Sequence, residues 1–238
     1  MGVRGTDVTR EVADIILLDD NFSTIVNAIR EGRRVYDYMK RSINAQLASN
    51  YGELVLVMSA LLFLLPLPFL PLTILWINLI TDSLPCLALG IEKEEPGIMN
   101  RKPINHNNNI LHGISKFLVI SSFFTFAVTI GFFLLFYQTD LEKARTMALV
   151  AAVFSEMFII ISCRSEERNI WEIGFFSNKL LNFSIVIAFL LQLVAIYTPL
   201  SGILGLKVIS LGELLLVLGA SSLGFIFFEL TKFFKIKI

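Results

Sequence analysis

Six stretches of this chain run for roughly twenty apolar residues each, the length at which a helix crosses the ~30 Å hydrocarbon core of a bilayer. They lie at about 43–65, 72–91, 117–137, 146–163, 180–200 and 208–228, and the third carries no charge at all. This pattern predicts an all-α membrane protein with six transmembrane helices. The composition agrees: 55% of the 238 residues are hydrophobic and 17% charged, where a soluble domain carries about a quarter. An ordinary soluble enzyme and a disordered chain are thereby excluded. The apolar runs are continuous rather than alternating, which argues against a β-barrel. Lys and Arg balance Asp and Glu at 20 each, so no basic surface is available for nucleic acid. Two cysteines, Cys86 and Cys163, cannot build a disulfide framework or a cysteine metal site.

The basic residues predict the orientation. Seventeen of the 20 fall in the amino-terminal stretch, the connections after the second and fourth spans, and the tail; only Lys143, Arg145 and Lys207 fall on the other side. The positive-inside rule then places both termini in the cytoplasm, as an even number of spans requires. The first 40 residues have no apolar core like that of a secretory signal peptide. Ile15-Ile16-Leu17-Leu18, bounded by Asp14 and Asp19, reads as a short buried strand, and Asp20 or Asn21 can cap a following helix. No proline occurs from Phe22 to Leu65. One helix over that stretch would be about 65 Å long, so the first span is expected to continue inward as a cytoplasmic stalk. Strand, stalk and membrane helix in series could carry movement from a soluble domain into the bilayer.

Polar groups at bilayer depth are costly and mark function. The first span carries Asn50 and Glu53 on one helix face, with Gly52 between them; the second carries Asn78, Thr81 and Asp82, followed by Pro85. Pro85 removes a helix hydrogen bond, and such a break is tolerated at depth where the freed backbone is shielded or lines a cavity. The fourth span carries Glu156 beside Ser155. Glu213 in the sixth stands close enough to a helix end to reach water. Ser121, Ser122, Ser221 and Ser222 read as helix-packing hydrogen bonders. Glu53, Asp82 and Glu156 have no intramembrane Lys or Arg to pair with, so a cation or protons must neutralise them. Amide, hydroxyl and carboxylate oxygens are hard ligands, and Ca²⁺ takes six to eight of these. The set Asn50, Glu53, Asn78, Thr81, Asp82 and Glu156 could supply a large part of one such shell.

The connections say less. Asn105-His106-Asn107-Asn108-Asn109 and His112 form a polar loop suited to turns and caps. Glu92, Glu94 and Glu95 beside Lys93 read as a solvated loop. Phe123, Phe124, Phe126, Phe132 and Phe133 read as lipid-facing bulk. Trp76 suits either packing or an interfacial anchor.

The segments GTDVTREVADIILLDDNFSTIVNAIREGRRVY, SNYGELV and LLPLPFLPLTILWINLITDSLPCLALGIE resemble P-type cation-transporting ATPases, strongly over about residues 1 to 100. Spans three to six agree in number, spacing and charge pattern. The resemblance implies that residues 1–21 end the phosphorylation domain, 22–42 form a stalk helix, and 43–238 form a six-helix cation-transport domain. Among such pumps the residues are most similar to the sarco/endoplasmic-reticulum type of calcium pump and its microbial relatives. That likeness implies Ca²⁺ as the transported ion. Asn50, Glu53, Thr81, Asp82 and Glu156 would be ligands of one site, and Asn78 with the shared Asp82 ligands of a second. An acid is typical of the sodium/potassium branch where Asn78 stands, while secretory-pathway and plasma-membrane calcium pumps lack an acid where Glu53 stands. Sodium, protons or magnesium are the alternatives.

The chain departs from the pattern by what it does not contain. There is no DKTGT segment, no TGE loop and no GDGxND motif. ATP and Mg²⁺ would thus act only in the complete pump, and the partners implied are the lipid bilayer and an amino-terminal half on the same or a separate chain. Asp14, Asp19 and Asp20 match structural rather than catalytic positions. The chain looks like the carboxy-terminal portion of a pump: a truncated gene, a split gene or a fragment. A passive membrane protein, either a remnant or the partner of a separately encoded front half, is the alternative.

Overall fold

The computed structural model describes residues 1–103 and 115–235. The loop around His106 and His112 lies outside the described residues. Six long helical stretches follow one another: α1 (Phe22–Leu62), α2 (Pro71–Ile91), α3 (Ser115–Phe136), α4 (Leu141–Ser162), α5 (Lys179–Tyr197) and α6 (Leu211–Phe233). Short helical turns stand at Asp7–Glu11, Ile170–Ile173 and Leu200–Leu204. Among the described residues there is no strand.

Five helices, α2 to α6, are long and apolar enough to cross a membrane. α1 falls outside this group, against the expected six, because Asn44, Gln46, Asn50 and Glu53 dilute the apolarity of its second half. Its 41 residues make a rod about 60 Å long. Asn21 starts it as expected, its side chain accepting from the Ser23 amide at 3.0 Å.

The buried strand at Ile15–Leu18 does not form. Ile15 and Leu18 are 79% and 83% exposed. A lone strand has no neighbour to pair with, and the segment is held through the Leu17 carbonyl, which accepts from the Gly2 and Asp20 amides. Asp20 adds a clasp by accepting from the amides of Val3 and Arg4. Both contacts are structural.

α4 is the axis of the bundle. Of its apolar window 89% is buried, against 28–39% in the other four spans. Its small residues Ala144, Ala148, Ala151 and Ala152 are all but inaccessible, which lets neighbouring helices approach closely. α3 and α6 pack along it, α1 packs on α3, and α2 packs on α5. Two of the four serines work across helices: Ser122 donates to the Ala48 carbonyl at 2.9 Å and Ser221 to the Ala151 carbonyl at 3.2 Å. Ser121 and Ser222 donate within their own helix. Phe132 and Phe133 are core residues rather than lipid-facing ones, because they point back toward α4 from the crowded end of α3.

The acidic loop after α2 is not solvated. Glu92 is 5% exposed and forms a two-pronged ion pair with Arg164, at 2.8 and 3.0 Å. Glu95 bridges Arg41 and Arg168, at 2.8 and 3.1 Å, and Glu94 pairs with Arg30. These acids meet arginines that come from α1 and from the α4–α5 connection, far away in sequence. Glu213 closes a capping box with Ser210 and pairs with Lys143, so it sits at a helix end as expected.

Candidate functional site

The site begins with a helix that changes its winding. α2 starts as an α-helix at Pro71–Trp76, widens to a π-turn over Ile77–Asp82, and resumes at Ser83–Ala88. Pro85 explains the change: it has no N–H for the Thr81 carbonyl, and its ring crowds the turn before it. Ser83 restores one bond, its hydroxyl donating to the Asn78 carbonyl at 2.7 Å. π-turns of this kind are rare and concentrate at functional sites. The wider turn carries Asn78, Thr81 and Asp82.

α1 presents Glu53 to this turn. On its other side α1 lies close against α3 at Gly52, where a Cβ would stand 3.1 Å from Thr125. The Asn78 side-chain amide donates to Glu53 Oε2 at 3.1 Å and also to the Ile74 carbonyl. Asp82 and Thr81 are each 2% exposed, as is Glu156, which comes in from α4. The Thr81 hydroxyl donates to the Ile77 carbonyl, leaving its oxygen lone pairs free to face a ligand. Glu53, Asp82 and Glu156 lie within Coulombic range of one another. Among the described residues, Glu53 Oε1, Asp82 Oδ1 and both Glu156 oxygens have no hydrogen-bond donor.

Three carboxyl groups thus converge in the interior with half or more of their oxygens unserved and no cationic side chain among them. Such an arrangement is costly unless protons or a cation answer it. Among the described residues no three Asp, Glu, His or Cys side chains close to metal-ligand spacing. The carboxyl groups are buried near one another without forming a finished shell.

Asn50 is not brought into this cluster. It is exposed, and its amide donates to the Gln46 carbonyl of its own helix at 2.9 Å. Gln192 is a polar residue that the residue pattern did not single out. It is wholly buried on α5 and accepts from the Trp76 indole N–H at 3.0 Å, one residue before the π-turn. Its signal was a lone amide in an apolar span. The same bond decides the role of Trp76, which is buried packing rather than an interfacial anchor.

Five helices long and apolar enough to cross a membrane define a class: an integral, multi-pass membrane protein. The profile of the family described as "Cation transporting ATPase, C-terminus" matches residues 66–234, and the chain belongs to that family. It is 36% identical to "Calcium-transporting ATPase 1" of Bacillus cereus, covering 99% of this chain and 29% of the relative. It is 38% identical to "Calcium-transporting ATPase" of Bacillus subtilis (94% and 26%) and 34% to "Calcium-transporting ATPase 1" of Saccharomyces cerevisiae (98% and 25%). The chain therefore spans between a quarter and three-tenths of the length of these relatives.

Proposed function

We propose that this chain is the carboxy-terminal membrane module of an ATP-driven calcium pump. Residues 1–21 would end the phosphorylation domain, the first half of α1 would be the cytoplasmic stalk, and its second half the first of six spans. Both termini would face the cytoplasm, following the uneven distribution of Lys and Arg. Asn50, Glu53, Asn78, Thr81, Asp82 and Glu156 would carry the ion.

The observation that carries this proposal is the contact between Glu53 and Asn78 beside Asp82 and Glu156, with carboxylate oxygens left free of donors. Hard oxygen donors of mixed type, on helices that can move, suit Ca²⁺. The acid at Glu53 favours the sarco/endoplasmic-reticulum type among such pumps. Asn50 faces outward in this chain, so its share in the site requires a further helix to cover it, as a longer protein would provide.

The mechanism follows from the rods. Phosphorylation in the complete protein would shift the cytoplasmic end of α1. A helix without a break transmits that shift to Glu53, whereas the π-turn lets Asn78, Thr81 and Asp82 adjust. Ligands on α1 then move against ligands on α2, the shell loses affinity, and the ion leaves outward while protons replace it on Glu53 and Glu156. This is a population shift between two packed arrangements. Glu53→Gln and Asp82→Asn, each made in the complete pump, are expected to abolish calcium-dependent phosphorylation by ATP. Normal calcium dependence in both variants would sink the assignment.

A further inference from the structure

Arg164 is among the largest fully buried side chains of the molecule, and nothing in the proposed ion path uses it. It lies two residues beyond the end of α4. Its Nε and Nη2 donate to the two oxygens of Glu92, its Nη1 to the carbonyls of Gly174 and Phe175 at 3.4 and 3.2 Å, and its Nη2 also to the Ser177 hydroxyl at 2.5 Å. Asn178 completes the knot. Its amide donates to Glu92 Oε2 and to the Ala88 carbonyl, at 3.0 and 3.1 Å, while its carbonyl oxygen caps α5 by accepting from the Leu181 amide. One guanidinium therefore ties together the end of α2, the end of α4 and the start of α5.

The knot lies in register with the carboxylates. Glu156 stands six residues, about 9 Å of helix, before the end of α4, and Arg164 two residues beyond it. Asp82 stands nine residues, about 14 Å, before the end of α2, and Glu92 one residue beyond it. Among the described residues no hydrogen bond or ion pair joins α2 to α4 at the level of the acids. Glu156 and Asp82 therefore do not fix their own separation by a bond between α2 and α4; the directional contacts between these helices lie at their ends.

We infer that Arg164 is a positioning residue for the cation site, holding α2 and α4 in the register that sets the spacing of Asp82 and Glu156. The inference rests on the proposed cation site. A planar fork on a carboxylate fixes both angle and distance, which a lysine in the same place does only in part.

The test uses the full chain in phospholipid nanodiscs, with radioactive-calcium binding and amide hydrogen exchange measured on the same preparations. Arg164→Gln is expected to weaken calcium binding by about threefold or more, less than the roughly tenfold or greater loss from removing a group bonded directly to a metal ligand. Exchange is expected to quicken across 77–91 while 141–154 keeps its protection. Arg164→Lys is expected to recover part of both, and Lys207→Gln at the opposite end to change neither. Unchanged exchange over 77–91 in Arg164→Gln overturns the inference, as does a uniform rise in exchange along the whole chain, which marks a residue that merely supports folding. Unchanged affinity in a chain whose binding is abolished by Asp82→Asn also overturns it. If the parent chain binds no calcium, the proposed cation site fails in this chain, and the exchange pattern still decides whether Arg164 positions α2.

Discussion

Glu92 is an acid buried where charge should be discouraged. Burial alone would raise its carboxyl, but hydrogen bonds from Arg164 and Asn178, with the charges of Arg164 and Arg41, hold it below its ordinary value of 4.5. A carboxyl lowered by folding stabilises the folded state fully above its unfolded value, and that contribution is lost as pH falls through the folded value. Removing one partner of a buried pair leaves the other charge stranded, at about 3–5 kcal/mol. Glu92→Gln should therefore melt well below the parent at neutral pH, and the gap should narrow on acidification below pH 4.5, where the parent loses the same charge. Thermal denaturation across pH decides it: a gap independent of pH would show that the pair contributes nothing ionic. At the same scale, Asn78 shows how one side chain links two helices, with one amide serving both the Ile74 carbonyl and Glu53.

Among the elements, α2 combines opposite demands. Its apolar residues call for a regular helix in a membrane, where each unpaired backbone group costs several kcal/mol. Pro85 breaks that regularity, and the π-turn with the Ser83 hydroxyl repairs it. The consequence is local rotation: Asn78 reaches α1 while Asp82 stays turned toward the interior. Pro85→Ala would return an N–H to the turn and favour an ordinary α-helix, worth up to about 3 kcal/mol of helix propensity. We expect the variant to melt at or above the parent temperature, yet to bind calcium at least tenfold more weakly. Paired measurement of melting and binding checks this, and a fall in both together would mean that Pro85 serves packing alone.

For the whole molecule, the arrangement of six rods is governed by the one that shows least to the outside. α4 is packed on by α1, α2, α3, α5 and α6, and its alanines set how near they come. Adding three carbons at Ala148, which is 0% exposed, has no free volume to fill. Ala148→Leu should cost about 1–3 kcal/mol by overpacking. Leu215→Ala on the lipid side of α6, at 58% exposure, should cost far less, because lipid is as apolar as the side chain it loses. Melting of both variants in one detergent gives the comparison; equal losses would mean that α4 is not the central helix. The acids are placed by the same centrality, since Glu156 on the innermost rod is where charges from α1 and α2 meet.

By itself the sequence determined what is written in local pattern. Runs of about twenty apolar residues specify spanning helices, because a bilayer offers backbone groups no partner outside the helix. Glu53, Asp82 and Glu156, acids in apolar spans with no basic partner, could be singled out from the pattern alone, and the structure buries all three. The cap at Asn21, the break at Pro85 and the membrane character were all legible on those grounds. What only the tertiary structure decided involves residues distant in the chain. Glu92, Glu94 and Glu95 look solvated until Arg164, Arg168, Arg41 and Arg30 arrive from other elements. Trp76 gains its role from Gln192, 116 residues away, and Ile15–Leu18 loses its strand because no second strand comes to pair with it. Hydropathy and helical period act within a few turns of chain, whereas ion pairs and close packing depend on which surfaces meet, and that is settled only when the rods are bundled.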